Sequence, residues 1–122
     1  MTTETSGLQG KSMDTPDETR TFPNGKVELV TLGGVTFGRM TAQPGWRWSE
    51  HVKPIAGTES CRATHTGVIV SGRIGIRMDD GSEREFGPGD AYVIPAGHDG
   101  WVIGDEPYVG VDYTGMADFA KR

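Results

Sequence analysis

Turn signals cut this chain into short pieces. Gly33-Gly34, Pro44-Gly45, Ser71-Gly72, Asp80-Gly81, Gly87-Pro88-Gly89-Asp90 and Pro95-Ala96-Gly97 follow one another, drawn from 19 glycines and 7 prolines among 122 residues. Glycine admits positive φ and proline interrupts a hydrogen-bond ladder, so each cluster ends a regular element. Short strands with turns at about 8–12-residue spacing fit between them, and the reading is an all-β sandwich or small barrel. The glycines have no three-residue period, which excludes a collagen-like helix.

The length allows one domain with a real core. Residues 1–21 are Thr-rich and nearly free of large apolar groups, and read as a polar tail, mobile or draped over the surface. The domain proper is expected over 22–115, with a short tail at 116–122. Strands are expected at Val27–Leu32, Val35–Ala42, Cys61–Val70, Arg73–Met78, Glu83–Phe86, Ala91–Ile94, Trp101–Ile103 and Tyr108–Tyr113. Trp46–Lys53 reads as extended, and Met116–Lys121 is the one helical candidate. In Arg73–Met78 the alternation puts Ile74, Ile76 and Met78 on one face.

Twelve Lys and Arg against seventeen Asp and Glu leave a net charge of −5. An acidic chain without a basic stripe repels phosphate backbones, which argues against nucleic acid as a partner. Apolar runs such as Tyr92-Val93-Ile94 are too short to span a membrane. The start Met1-Thr2-Thr3-Glu4 has neither the basic nor the apolar region of a secretory signal. A single cysteine, Cys61, cannot form an internal disulfide. These features lead to an expectation of a cytoplasmic protein.

Gly89-Asp90-Ala91-Tyr92-Val93-Ile94-Pro95-Ala96-Gly97 has five residues between Gly and Pro and one between Pro and Gly. This spacing resembles the second conserved motif of the cupin family. Upstream, five residues separate Gly45 from His51 and six separate His65 from Gly72, which is similar to the frame of the first cupin motif. The resemblance covers roughly residues 35–113. It implies a double-stranded β-helix, the jelly-roll barrel, commonly a homodimer, with a divalent metal in the barrel mouth held by residues of both motifs.

The chain departs from the family's ligand pattern. His51 can stand for the first histidine, but Lys53 then occupies the second, and His65 stands where the glutamate would be. Gly100 takes the histidine position of the second motif, with His98 two residues earlier. A second register puts Glu59 and Cys61 on the two histidine positions and leaves His65 unchanged. The candidate ligands are therefore His51, Cys61, His65 and His98. Strand parity places Cys61 and His65 on one face. A thiolate with imidazoles suits zinc or iron, with manganese or nickel as further options.

Around these lie candidate partners for a small-molecule substrate. Arg47 and Lys53 share a face of the presumed extended stretch with His51, and would favour an anion. The opposite face carries Trp46 and Trp48, an aromatic slot or simply core. Trp101 could close the pocket or pack under it. Glu59, Tyr92 and Tyr113 are candidates for moving protons, and one of Asp112 and Tyr113 must point inward. The first functional reading is a metal-dependent enzyme of isomerase or cyclase, lyase or dioxygenase type. The alternative is a non-catalytic small-molecule-binding or sensor domain with a degraded metal site, and a purely structural subunit ranks last.

Overall fold

The computed structural model describes residues 7–122; the first six residues of the expected polar tail lie outside the described residues. Nine strands run in chain order: β1 (Glu18–Phe22), β2 (Gly25–Leu32), β3 (Val35–Ala42), β4 (His65–Ser71), β5 (Arg73–Met78), β6 (Glu83–Phe86), β7 (Ala91–Ile94), β8 (His98–Ile103) and β9 (Tyr108–Thr114). A six-stranded sheet, β1-β2-β3-β9-β4-β7, packs against a three-stranded sheet, β6-β5-β8, and every strand pair is antiparallel. This is the all-β architecture expected from the turn spacing, in the jelly-roll form that the family resemblance implies. Among the described residues, no helix is long and apolar enough to cross a membrane.

Inward alternation builds the core. Val27, Leu29, Met40 and Ala42 come from β2 and β3, and Ile74 and Ile76 from β5, all buried. Gly33 and Gly34 both have positive φ (53° and 80°) and join Leu32 to Val35 in a two-residue hairpin, the geometry that positive φ at both positions permits. Glycines also clear space inside. A Cβ at Gly67 would lie 2.7 Å from the Tyr92 hydroxyl, and one at Gly110 would lie 2.1 Å from the Tyr108 hydroxyl. A larger residue would collide with the neighbouring tyrosine at either position, and at Gly67 with the Val111 carbonyl oxygen as well.

Three sequence expectations are corrected here. Trp46–Lys53 is not a single extended stretch: residues 48–56 fold into two one-turn helices, α1 (Trp48–His51) and α2 (Lys53–Ala56). Trp48, Val52 and Ile55 recur at i, i+4 and i+7, the helical period, and put their side chains on the core. Pro54 sits in the first turn of α2 and Gly57 ends it with φ 73°. Second, Cys61 is not part of a long strand. It stands alone on a bridge to His98, and β4 starts only at His65. Third, Met116–Lys121 forms turns rather than a helix, with Ala120 at φ 54°.

The two ends of the chain do more than the sequence suggested. β1 begins at Glu18, inside the stretch read as tail, and pairs with β2 from Glu18↔Leu29 to Phe22↔Gly25. Ahead of it, the Asp17 carboxylate accepts from Thr31 N (2.9 Å) and Lys11 Nζ (3.0 Å). Gly115–Ala120 crosses the barrel and buries Met116, Phe119 and Ala120. Arg20 of β1 fixes this segment by donating to the carbonyls of Met116 (3.3 Å), Ala117 (2.9 Å) and Phe119 (2.9 Å).

Candidate metal centre

Three side chains converge at one end of the barrel. His65 opens β4, His98 opens β8, and Cys61 is tied to β8 by backbone bonds from Cys61 N to His98 O (2.8 Å) and from Gly97 N to Cys61 O (2.7 Å). Their ligand atoms lie within 4.8 Å of one another and all three residues are buried. The cluster thus forms where the starts of two strands from different sheets meet the Cys61 bridge, just after the Pro95-Ala96-Gly97 turn.

The outer nitrogen of each histidine is fixed by a partner. His98 Nδ1 lies 2.8 Å from Pro95 O. A carbonyl only accepts, so Nδ1 donates to it, which leaves Nε2 as the nitrogen facing the cluster. His65 Nδ1 donates to Asp112 Oδ2 at 2.5 Å, which leaves His65 Nε2 facing Cys61 Sγ at 3.6 Å. Asp112 in turn accepts from the Tyr92 hydroxyl. A carboxylate that orients a histidine whose other nitrogen faces a shared point is the outer-shell arrangement of metal-binding histidines.

The spacing suits a small cation. Zinc bonds of about 2.3 Å to sulfur and about 2.0–2.1 Å to nitrogen, opened to a tetrahedral angle, separate S and N by about 3.6 Å. The Cys61–His65 separation of 3.6 Å already matches that value. One thiolate and two imidazoles leave at least one coordination position to a further ligand, the pattern of reactive rather than structural sites.

Without a cation the same atoms form a charged network. Burial pushes the Cys61 thiol up, but hydrogen bonding and charge from His65 and His98 outweigh it and bring it down to about 6. Burial acts to lower His65, and Asp112 and Cys61 overcome it, holding the imidazole up at about 9. Burial raises Asp112, against the contact with His65. Cation binding displaces whatever protons these ligand atoms carry, so it competes directly with this network.

The cluster faces two spaces. Inside the barrel, a chamber of about 40 Å³ is lined by His65, His98, Asp112 and Tyr92 and by apolar side chains such as Met40 and Ile76. Outside, a cleft of about 450 Å³ reaches Cys61 past Thr58, Arg62 and Lys121. Trp48 and Phe119 border both spaces, and the Phe119 ring packs edge-on against His65 with centroids 5.7 Å apart.

The remaining candidates are distributed as follows. Tyr92 is buried and joined to Asp112, and Trp48 walls the chamber. His51 does not join the cluster: its Nδ1 lies 3.0 Å from Arg47 N, where it caps the turn of α1. That removes the register which made His51 a ligand. Glu59 is also corrected, because its side chain is 96% exposed and pairs with Lys53 at 3.3 Å. Lys53 is thereby turned away from the barrel. Arg47 stacks over Trp101 at 4.8 Å and pairs with Asp99 at 3.4 Å, and both it and Trp101 lie off the chamber because Gly100 and Val102 take the inward positions of β8. Tyr113 is 45% exposed, since β9 turns Asp112 inward instead. Sequence reading left Asp112 and Tyr113 undecided; the inward parity of Tyr108 and Gly110 was the signal available. Phe119 and Met116 carried no signal.

A family model described as an EutQ-like cupin domain matches residues 51–109. No curated protein matches the chain. Among solved structures, a sugar phosphate isomerase of the cupin superfamily from Silicibacter pomeroyi is similar at 16% identity and a TM-score of 0.60, covering 85% of this chain and 73% of that one. A protein of unknown function from Acidithiobacillus ferrooxidans gives 20% identity and 0.57, covering 79% and 85%. KdgF from a Halomonas species gives 20% and 0.55, covering 79% and 83%. At these identities the likeness carries the fold. The motif spacing, the matched stretch and the shared barrel agree on a small cupin domain.

Proposed function

We propose that this cupin holds one divalent cation, zinc or iron, through Cys61 Sγ, His65 Nε2 and His98 Nε2, and uses it to transform a small organic molecule. The observation that carries the reading is the convergence of these three buried groups within 4.8 Å, with each histidine anchored at Nδ1. A bound cation of this kind polarises a carbonyl or stabilises an enolate. The chain's own residues supply the rest. Asp112 fixes the plane and tautomer of His65, the Tyr92 hydroxyl and Asp112 form a buried pair able to hold a proton, and the Phe119 ring covers one side of His65. Of the isomerase or cyclase, lyase and dioxygenase classes, we favour isomerisation of a small carbonyl compound. The hydrogen-bonded Tyr92–Asp112 pair at the chamber wall and the similar fold of a protein named as a sugar phosphate isomerase both support it.

Elemental analysis of purified protein tests the metal. The expected result is about one equivalent per chain in the wild type and loss of it in Cys61→Ala, His65→Ala and His98→Ala. Equal metal content in all four proteins overturns the reading. The non-catalytic binding alternative draws support from the small chamber of about 40 Å³, which leaves little room for a substrate to move. It wins if the loaded protein binds small carbonyl compounds and returns them unchanged.

A further inference from the structure

One buried polar atom in the barrel is unlike the rest. Trp46 is 3% exposed, and its Nε1 is the single fully buried side-chain nitrogen or oxygen among the described residues without a hydrogen-bond partner. Of the other polar groups on the chamber wall, His65 and Tyr92 are joined to Asp112, and His98 to Pro95 O. A buried N–H without an acceptor is costly, so such a group in a well-formed core points to a partner that is not protein. Trp46 lines the same chamber as His65 and His98, where most of the wall is aliphatic or aromatic and offers no acceptor.

We propose that Trp46 Nε1 is the specificity donor for a small carboxylate, which enters the chamber with one oxygen toward the metal ligands and accepts a hydrogen bond from the indole. The proposal rests on the metal reading above and adds to it the class of ligand. Three properties of the site select that class. An indole N–H only donates, so its partner must be an acceptor. A chamber of about 40 Å³ has space for roughly three water-sized groups, which fits a carboxylate with little attached to it. A carboxylate has two acceptor oxygens on one carbon, so one molecule can serve both a cation and the indole. The apolar remainder of the wall, Met40, Ile74, Ile76 and Ile94, rejects a second charged group and sets the size limit.

The test uses full-length protein loaded with cobalt(II) for optical titration and with zinc for NMR. The thiolate-to-cobalt absorption band reports the metal centre, and the indole 15N–1H resonance missing from Trp46→Phe reports the donor. Formate and acetate are expected to shift the band saturably and to move the Trp46 resonance, while benzoate does neither. Trp46→Phe is expected to keep the cobalt band and to bind acetate at least tenfold more weakly. If cobalt gives no thiolate band, the metal reading fails and this proposal fails with it. If the band is present but formate and acetate leave the wild-type Trp46 resonance unmoved, or Trp46→Phe binds acetate as tightly as wild type, the proposal alone is overturned. If Trp46→Phe does not fold, the resonance is assigned in the wild-type chain through the contact of Trp46 with the Phe22 ring, and its response to formate and acetate decides the outcome.

Discussion

Replacing Asp112 by Asn changes almost no volume and removes one charge from the middle of the site. Asp112 is 2% exposed, accepts from His65 Nδ1 at 2.5 Å and from the Tyr92 hydroxyl. An amide can keep only one of these acceptor roles at its oxygen. If its NH2 faces His65, it drives the proton from Nδ1 to Nε2, and the nitrogen that should bind the cation becomes a donor. Loss of such an outer-shell carboxylate weakens metal binding by about 10–100-fold, or about 1.4–2.7 kcal/mol. With free zinc at about 100 times the wild-type Kd, the cation stabilises wild-type protein by about 2.7 kcal/mol; the same concentration stabilises the variant by only about 0.4–1.4 kcal/mol. Competition with a chromophoric chelator gives the affinity directly, and thermal unfolding with and without zinc gives the stabilisation. Tyr92→Phe is the companion variant. It removes a hydrogen bond one step further out, and is expected to cost about 1–2 kcal/mol of stability with less than tenfold loss of affinity. If folded Asp112→Asn binds zinc as tightly as wild type, the carboxylate does not orient His65 for a cation, and the argument from Nδ1 anchoring fails.

His51→Ala is expected to keep full metal content in elemental analysis, because His51 serves α1 rather than the cluster; loss of metal in that variant would restore the rejected register. Phe119→Ala removes the ring between the outer cleft and His65, and is expected to speed the removal of bound zinc by a chelator tenfold or more; an unchanged rate would show that the ring is not the barrier. In metal-free protein the thiolate absorbance of Cys61 is expected to titrate near pH 6 instead of the ordinary 9.0, and His65→Ala to move that midpoint upward. The signs follow from the two shifts. Stability from the lowered Cys61 value is fully present above about 9 and lost as pH falls through about 6, and that from the raised His65 value is present below 6.5 and lost as pH rises through about 9. The ion pair therefore belongs to the window between about 6 and about 9, and a metal-free Tm that rises on leaving that window would contradict it.

Strand parity and turn chemistry are local, and what they govern was readable from the sequence. Gly89 to Gly97 framed His98, the alternation in β5 put Ile74 and Ile76 inside, and the Gly33-Gly34 hairpin formed where its two glycines allow positive φ. Cys61 and His65 do meet, but for a different reason than parity: Cys61 lies outside β4 and is brought in by its bridge to His98. That contact joins residues far apart in sequence, which no local rule encodes. Glu59 was misplaced because the shifted motif register set it on a ligand position, whereas its side chain lies out in solvent beside Lys53. Trp48 and Val52 were read on a period of two when their i, i+4 spacing already marked a helical turn. Between Asp112 and Tyr113 the sequence left the inward position open, because a buried carboxylate is improbable until a partner such as His65 is known to face it. The closing segment around Phe119 is held by Arg20, at sequence separations of 96 to 99.

That clamp also dictates an order of events during synthesis. β9 lies between β3 and β4, so the larger sheet has a gap until Tyr108–Thr114 emerges, and Arg20 has nothing to grip until Met116, Ala117 and Phe119 follow. The thiol of Cys61 and the imidazoles of His65 and His98 are exposed earlier. At about 5–20 residues per second, the delay between His98 and Asp112 is roughly one to three seconds. During that interval the nascent chain presents three ligands with no carboxylate to orient His65 and no Phe119 to cover it. A cation taken up then would sit in a loose, exchangeable setting, and the choice of metal would be made only when the mouth of the barrel is drawn shut.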